Sequence, residues 1–332
     1  MRRRDFVLTP LAFAGACASI RSAAAATAAD LVQVSEQDWT DTRRKRVVPV
    51  RVYEPAQARD APTLPPGSQA PVRRDLPLIL FSHGLGGSRA GGEQWGRLWA
   101  AQGFISVHLQ HPGSDEALWK DKNPLQGFAA LRRASTVENG VLRIDDVKFV
   151  IDEITRRQQS GDAHFARADL ARIGMSGHSF GARTTFGVVS IAPDARIRAA
   201  VAFSPAPEAS EALTRERMGH IAIPFLSLTG TDDKVLLLTD TTPEERRLPY
   251  QFMRGPDKYL LVLAGGDHMV FNGQPRERKW SNQNLVVHAP WIERTTLTFW
   301  KAYLKGDAVA KAELTGGALR DALGANGEWF AK

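Results

Sequence analysis

The chain has 332 residues, 43% hydrophobic and 24% charged, with a formal net charge of +7 and a single cysteine. Such a composition excludes a disordered, collagen-like or coiled-coil chain, and one cysteine excludes both an internal disulfide and a zinc site built on cysteines. No apolar run of about 18–20 residues free of breakers is present to cross a membrane.

Residues 1–28 open on Arg2-Arg3-Arg4, run through an apolar stretch to Ile20 and close on an alanine-rich segment. A basic start, a short apolar middle and small residues in an Ala-x-Ala pattern make a secretory signal peptide. The paired arginines followed by Asp5, Phe6 and Val7 resemble the twin-arginine export signal, and an ordinary secretory signal is the other form open to this pattern. The leader holds four arginines against one aspartate, so cleavage after Ala26 or Ala28 leaves the mature chain at +4. Cys17 leaves with it, and Ala14 stands where a lipoprotein signal usually has leucine. The expectation is a periplasmic or secreted protein whose residues 29–332 form one domain without cysteine.

Along that domain, the alternation over 47–53 predicts a strand, followed by a Pro-, Ala- and Gly-rich loop from Glu54 to about 77. The apolar run 76–82 predicts a strand buried on both faces. A helix is expected over 94–102 and a second buried strand over 104–109. Val141, Ile144, Val147, Ile151 and Ile154 recur at helical spacing and predict a long amphipathic helix over 137–157. A strand over 172–177, a helix over 180–191, strands over 197–203, 223–229 and 259–264, and a final helix over 286–304 complete the series. Strands alternating with helices, joined by right-handed crossovers, imply a three-layer α/β domain on a mostly parallel, twisted sheet. The segments 208–220 and 236–256 read as short rim or cap insertions.

Gly177-His178-Ser179-Phe180-Gly181 lies between a predicted strand and a predicted helix, which is the setting of a nucleophile elbow. The turn is tight enough that side chains at Gly177 and Gly181 would meet neighbouring backbone, and it would lift Ser179 out of the sheet. Ser176 is a poorer candidate, because its frame lacks the second glycine. A serine hydroxyl needs a base, and His268, in the loop after the strand over 259–264, stands where one is expected. The base needs an acid to fix its tautomer. Asp232 and Asp233 both end a strand, and Asp233, three residues after Gly230, is favoured over Asp232 and over Asp267. Phe180 and Leu85, the latter in His83-Gly84-Leu85-Gly86-Gly87, would supply the two backbone N–H groups of an oxyanion hole. His108 and His111 have His-x-x-His spacing but no third ligand, and are read as lining the mouth of the site. No metal and no cofactor are expected. The basic groups 43–46 and 246–247 read as solvated faces, and nothing points to nucleic acid.

Taken together, these residues resemble the α/β-hydrolase superfamily over the whole mature chain. The segments 83–89 and 111–115 and the Gly-His-Ser-Phe-Gly elbow resemble a bacterial group described as predicted dienelactone hydrolases, related to platelet-activating-factor acetylhydrolase. Genuine dienelactone hydrolases carry cysteine where this chain carries Ser179. The resemblance implies an α/β-hydrolase fold and a serine carboxylic-ester hydrolase acting on short-chain acyl or lipid-like esters. A peptidase or amidase on the same scaffold, and a non-catalytic binding protein of that fold, are the alternatives.

Overall fold

The computed structural model describes residues 31–56, 73–235, 239–274 and 284–332. The expected signal peptide and most of the proline-rich loop lie outside the described residues.

Nine strands form one sheet: β1 (Val32–Asp41), β2 (Arg46–Pro55), β3 (Leu76–Ser82), β4 (Ile105–Leu109), β5 (Ala168–His178), β6 (Ile197–Phe203), β7 (Phe225–Asp232), β8 (Lys258–Asp267) and β9 (Gly327–Ala331). Their spatial order is β1-β2-β4-β3-β5-β6-β7-β8-β9. The central run from β4 to β8 is parallel, with antiparallel strands at both ends. The parallel strands are apolar on both faces because helices cover both. Ile79 and Phe81 of β3 face one core and Leu78 and Leu80 the other. On the first face lie α1 (Glu93–Ala101) and α7 (Asn284–Leu304), with Trp95, Trp99, Ile292 and Trp300 buried between helices and sheet. On the second lie α3 (Val137–Gln159), which buries Val147, Val150, Ile151 and Ile154, and α4 (Phe180–Phe186), which buries Ala182 and Phe186. The result is a three-layer α/β fold.

Several expectations shift. The helix over 180–191 ends its α-helical part at Phe186 and continues as one wider π turn, Gly187–Ile191. Val141, counted in the apolar stripe of α3, is exposed. Elements that the sequence pattern did not reveal include β1, β9, α2 (Pro124–Ala134), α5 (Glu211–Gly219), α6 (Leu248–Phe252), α8 (Ala308–Thr315) and α9 (Ala318–Leu323). Strand β1 was hidden because it pairs only at the antiparallel edge and buries little besides Val32, Trp39 and Asp41. The basic groups also differ from expectation. Arg44 and Arg46 are mostly covered and pair with the buried Asp146 at 2.9 and 2.8 Å, while Arg43 stays solvated.

The order of strands reverses between β3 and its neighbours. From β3 the chain moves to β4 on one side, and later to β5 on the other. Such a reversal opens a crevice at the carboxyl ends of the strands. Ser82 at the end of β3 is in register with Gly177 near the end of β5, and His178 with Phe203 at the end of β6. Asp232 and Asp267 close β7 and β8 opposite each other. The loops after β3, β5, β6, β7 and β8 therefore leave the sheet side by side.

Trp300 stacks edge-on against Trp99 at 5.9 Å and is fully buried. Trp300→Ala should cost about 3–5 kcal/mol of unfolding free energy, read from urea denaturation.

Candidate active site

Strand β5 passes straight into α4 through a single residue, Ser179, whose φ of 57° and ψ of −114° lie outside the regions that non-glycine residues ordinarily adopt. A backbone of this kind costs on the order of 1–3 kcal/mol and persists only where its surroundings enforce it. Here the Ser179 N–H donates to the Phe203 carbonyl at 2.9 Å, fixing the turn to the neighbouring strand. A Cβ at Gly177 would overlap the Gly181 backbone, and one at Gly181 the Ser82 carbonyl. Both glycines are thus required by close approach of main chain. Ser176 is fully buried and donates to the Leu80 carbonyl, which leaves it without a surface role.

His268 follows β8 and begins a short 3-10 turn, His268–Phe271. Its Nδ1 lies 2.8 Å from Asp233 Oδ1. Asp233 is fully buried, whereas Asp232 is exposed. Asp267 caps the turn by accepting from the N–H groups of Met269 and Val270. The sequence alternatives are therefore separated by position: Asp233 faces the imidazole, Asp232 faces solvent and Asp267 holds the turn. Burial by itself would raise the Asp233 carboxyl, but the hydrogen bond and charge of His268, with Arg246 and Ser204, hold it below the usual carboxylate range. With Nδ1 donating to a carboxylate, Nε2 is the ring atom left to accept a proton.

The sequence reading did not identify Ser204 or Arg246 as part of this site. Ser204, just after β6, is fully buried with a φ of 52°. Its Oγ lies 2.6 and 2.7 Å from the two Asp233 oxygens and 2.7 Å from His268 Nδ1. Thr229 donates to Asp233 Oδ2 at 2.8 Å. Arg246, read from sequence as solvated, is only 2% exposed and places Nε 3.0 Å from Asp233 Oδ1. Its neighbour Arg247 remains near the surface, paired with Glu328. His178 lies beside the site. Its Nε2–H donates to the His268 carbonyl at 2.9 Å and its ring lies 4.7 Å from that of His268.

The loop after β3 is pinned on both sides of Leu85. The Gly84 carbonyl accepts from the Gly87 N–H at 3.0 Å and from His83 Nδ1 at 2.6 Å. The Gly86 N–H donates to the Ser114 carbonyl, and Trp119 Nε1 donates to the Gly86 carbonyl. Phe180 occupies the first position of α4, where a backbone N–H has no acceptor within its own helix. Leu85, Ser179 and Phe180 line one cavity of about 680 Å³ together with Ala206, Pro207 and Val235. Arg132 and Arg183 also reach this cavity.

His108 and His111 do not line it. Both are fully buried. His108 Nδ1 bonds the Gly91 carbonyl, and His111 bridges Ser82 Oγ and Asp146. The His-x-x-His spacing lies on and just after a buried strand, so each ring finds partners inside the protein. Among the described residues, no group of three His, Cys, Asp or Glu could hold a metal ion, and no helix is long and apolar enough to cross a membrane. No protein-family model and no curated protein matches the chain.

Burial pushes His108 and His178 down to about 3 and His111 to about 4, and holds His83 well below its ordinary value with the help of Arg143. These rings stay neutral where the unfolded chain binds protons. Stability is therefore full above pH 6.5 and is lost as the pH falls toward 4, by about 1.4 kcal/mol per pH unit for each ring. Unfolding free energies measured in urea between pH 7 and 4.5 should fall accordingly, and His108→Gln should remove about one proton from that slope.

Proposed function

We propose that the chain is an exported serine hydrolase of carboxylic esters, of the α/β-hydrolase superfamily. The observation that carries this reading is the buried Asp233–His268 pair on loops adjacent to Ser179, a residue of strained backbone that lines a cavity. The chain order Ser179, Asp233, His268 and the loop between β3 and α1 are those of that superfamily.

In this mechanism His268 Nε2 takes the Ser179 proton as Oγ attacks the ester carbonyl. The N–H groups of Leu85 and Phe180 receive the oxyanion. Asp233 stabilises the imidazolium, which then protonates the leaving alcohol. Water, deprotonated by His268, attacks the acyl-enzyme and releases the acid. No cofactor enters the scheme. The cavity is lined by the small apolar Ala206, Pro207 and Val235 together with charged groups of both signs, among them Arg132, Arg183 and Glu208, a mixture that suits a short acyl chain on a polar or lipid-like alcohol.

Ser179→Ala should lower kcat/KM on a short p-nitrophenyl ester by on the order of 10³-fold or more. Asp233→Asn should lose on the order of 10²-fold or more, while Asp232→Asn should leave the rate unchanged. Wild-type turnover by Ser179→Ala would defeat the proposal. A matched p-nitroanilide series checks the ester assignment, since an esterase should hydrolyse it far more slowly.

A further inference from the structure

The mechanism above uses Ser179, His268 and Asp233 but leaves a buried cation beside the acid without a role. Arg246 comes from a short turn, Glu245–Arg247, outside the sheet. Its Nε–H donates to the Asp233 main-chain carbonyl at 2.8 Å, and the same nitrogen lies 3.0 Å from the carboxylate. Its Nη1 donates to the carbonyls of Ser204 and Pro205 at 3.2 and 3.1 Å. One guanidinium therefore grips the chain after β6 and the chain after β7, the two segments that bring Ser204 Oγ and Asp233 to His268 Nδ1. A cation only 2% exposed is expensive unless its contacts are specific. This one spends its hydrogen bonds on the main chain of the site.

We propose, resting on the hydrolase reading, that Arg246 is a positioning residue of the catalytic base. It locks Asp233 and Ser204 in place and shares the carboxylate's charge with His268. A carboxylate facing an imidazole alone favours the imidazolium, and a second cation at that carboxylate opposes it. Arg246 thus offsets part of the carboxylate charge that faces His268. The other charged or titratable groups around this pair are few. His178 on β5 is neutral, held down to about 3 by burial. Asp267 caps the turn that carries His268, and His288 on α7 lies beside the same loop. Asp232 faces solvent, and Glu245 sits next to Arg246 on the same turn. None of them places a second cation against the Asp233 carboxylate.

The test is the pH dependence of kcat/KM on p-nitrophenyl acetate for the wild type, Arg246→Gln and Arg246→Lys, with the rate of fluorophosphonate labelling of Ser179 followed in parallel. Arg246→Gln should move the acid limb to higher pH by about one unit. Arg246→Lys, which keeps the charge but not the fork of donors, should keep the limb near the wild-type position at a reduced kcat. A limb that stays in place while both variants lose the same factor at every pH would reduce Arg246 to a structural clamp and overturn the proposal. So would an Arg246→Lys limb displaced as far as that of Arg246→Gln. If Arg246→Gln does not fold, Arg246→Met takes its place, and failure of every variant lacking the cation would likewise mark a structural ion pair. Absence of Ser179-dependent turnover in the wild type would refute the ester hydrolase itself. A Ser179-dependent enzyme with an unmoved limb refutes only the role given to Arg246.

Discussion

A carboxylate withdrawn wholly from water is the constraint on which the candidate site of this protein is built. Asp233 cannot be buried as an anion unless its oxygens are matched, and four side chains on four different segments match them: Thr229, Ser204, His268 and Arg246. Those segments are the end of β7, the residue after β6, the turn after β8 and the 3-10 turn carrying Arg246. Satisfying one buried charge therefore fixes the relative positions of the loops around His268. Removing one partner of such a cluster typically costs about 3–5 kcal/mol, because the remaining charge is left uncompensated.

A second buried polar cluster does for the loop after β3 what Asp233 does for His268. Arg143, on α3, is fully buried and burial draws its guanidinium down to about 9. It donates to Ser114 Oγ and Thr184 Oγ1, and lies 4.5 Å over the ring of Phe180. The His111 N–H donates to His83 Nε2, so His83 carries its proton on Nδ1 and donates it to the Gly84 carbonyl. The guanidinium 3.1 Å from that nitrogen reinforces neutrality of the ring. Leu85 and Phe180, which come from segments nearly a hundred residues apart, are braced by one arginine and one neutral histidine.

The parallel strands and the sites at their ends were legible in the sequence for a physical reason. Strands β3 and β6 are covered on both faces and so are written as almost continuous apolar runs, β6 broken only by the exposed Arg198. Gly177 and Gly181 are demanded by main-chain contact, and the spacing of Gly230 to Asp233 follows from the end of a strand. Edge strands carry no such mark. In β1 only three of ten residues are buried, and its polar sequence is compatible with a loop. Arg246 was opaque for another reason. Glu-Glu-Arg-Arg reads as a solvated turn, and only the path of the chain, which returns that turn to the end of β7, buries one arginine and leaves its neighbour at the surface. His108 and His111 failed as mouth residues because a periodicity argument sees the strand and not the serine, carbonyl or aspartate waiting beside it.

The two serines at the heart of the site share a conformation that neither sequence pattern nor composition explains. Ser179 and Ser204 follow adjacent strands, β5 and β6, and both hold a positive φ. Each is tied to the next strand by its own N–H, Ser179 to the Phe203 carbonyl and Ser204 to the Leu228 carbonyl. The strain is thus distributed along the sheet by ladder bonds that continue one residue past the end of each strand. A sharp departure of the backbone follows, which sets Ser179 in the wall of the cavity and the Ser204 hydroxyl against the carboxylate. A rigid parallel sheet supplies the stability that lets both residues stay in sparsely populated backbone regions, and the strain in turn places two hydroxyls where relaxed strand ends would not.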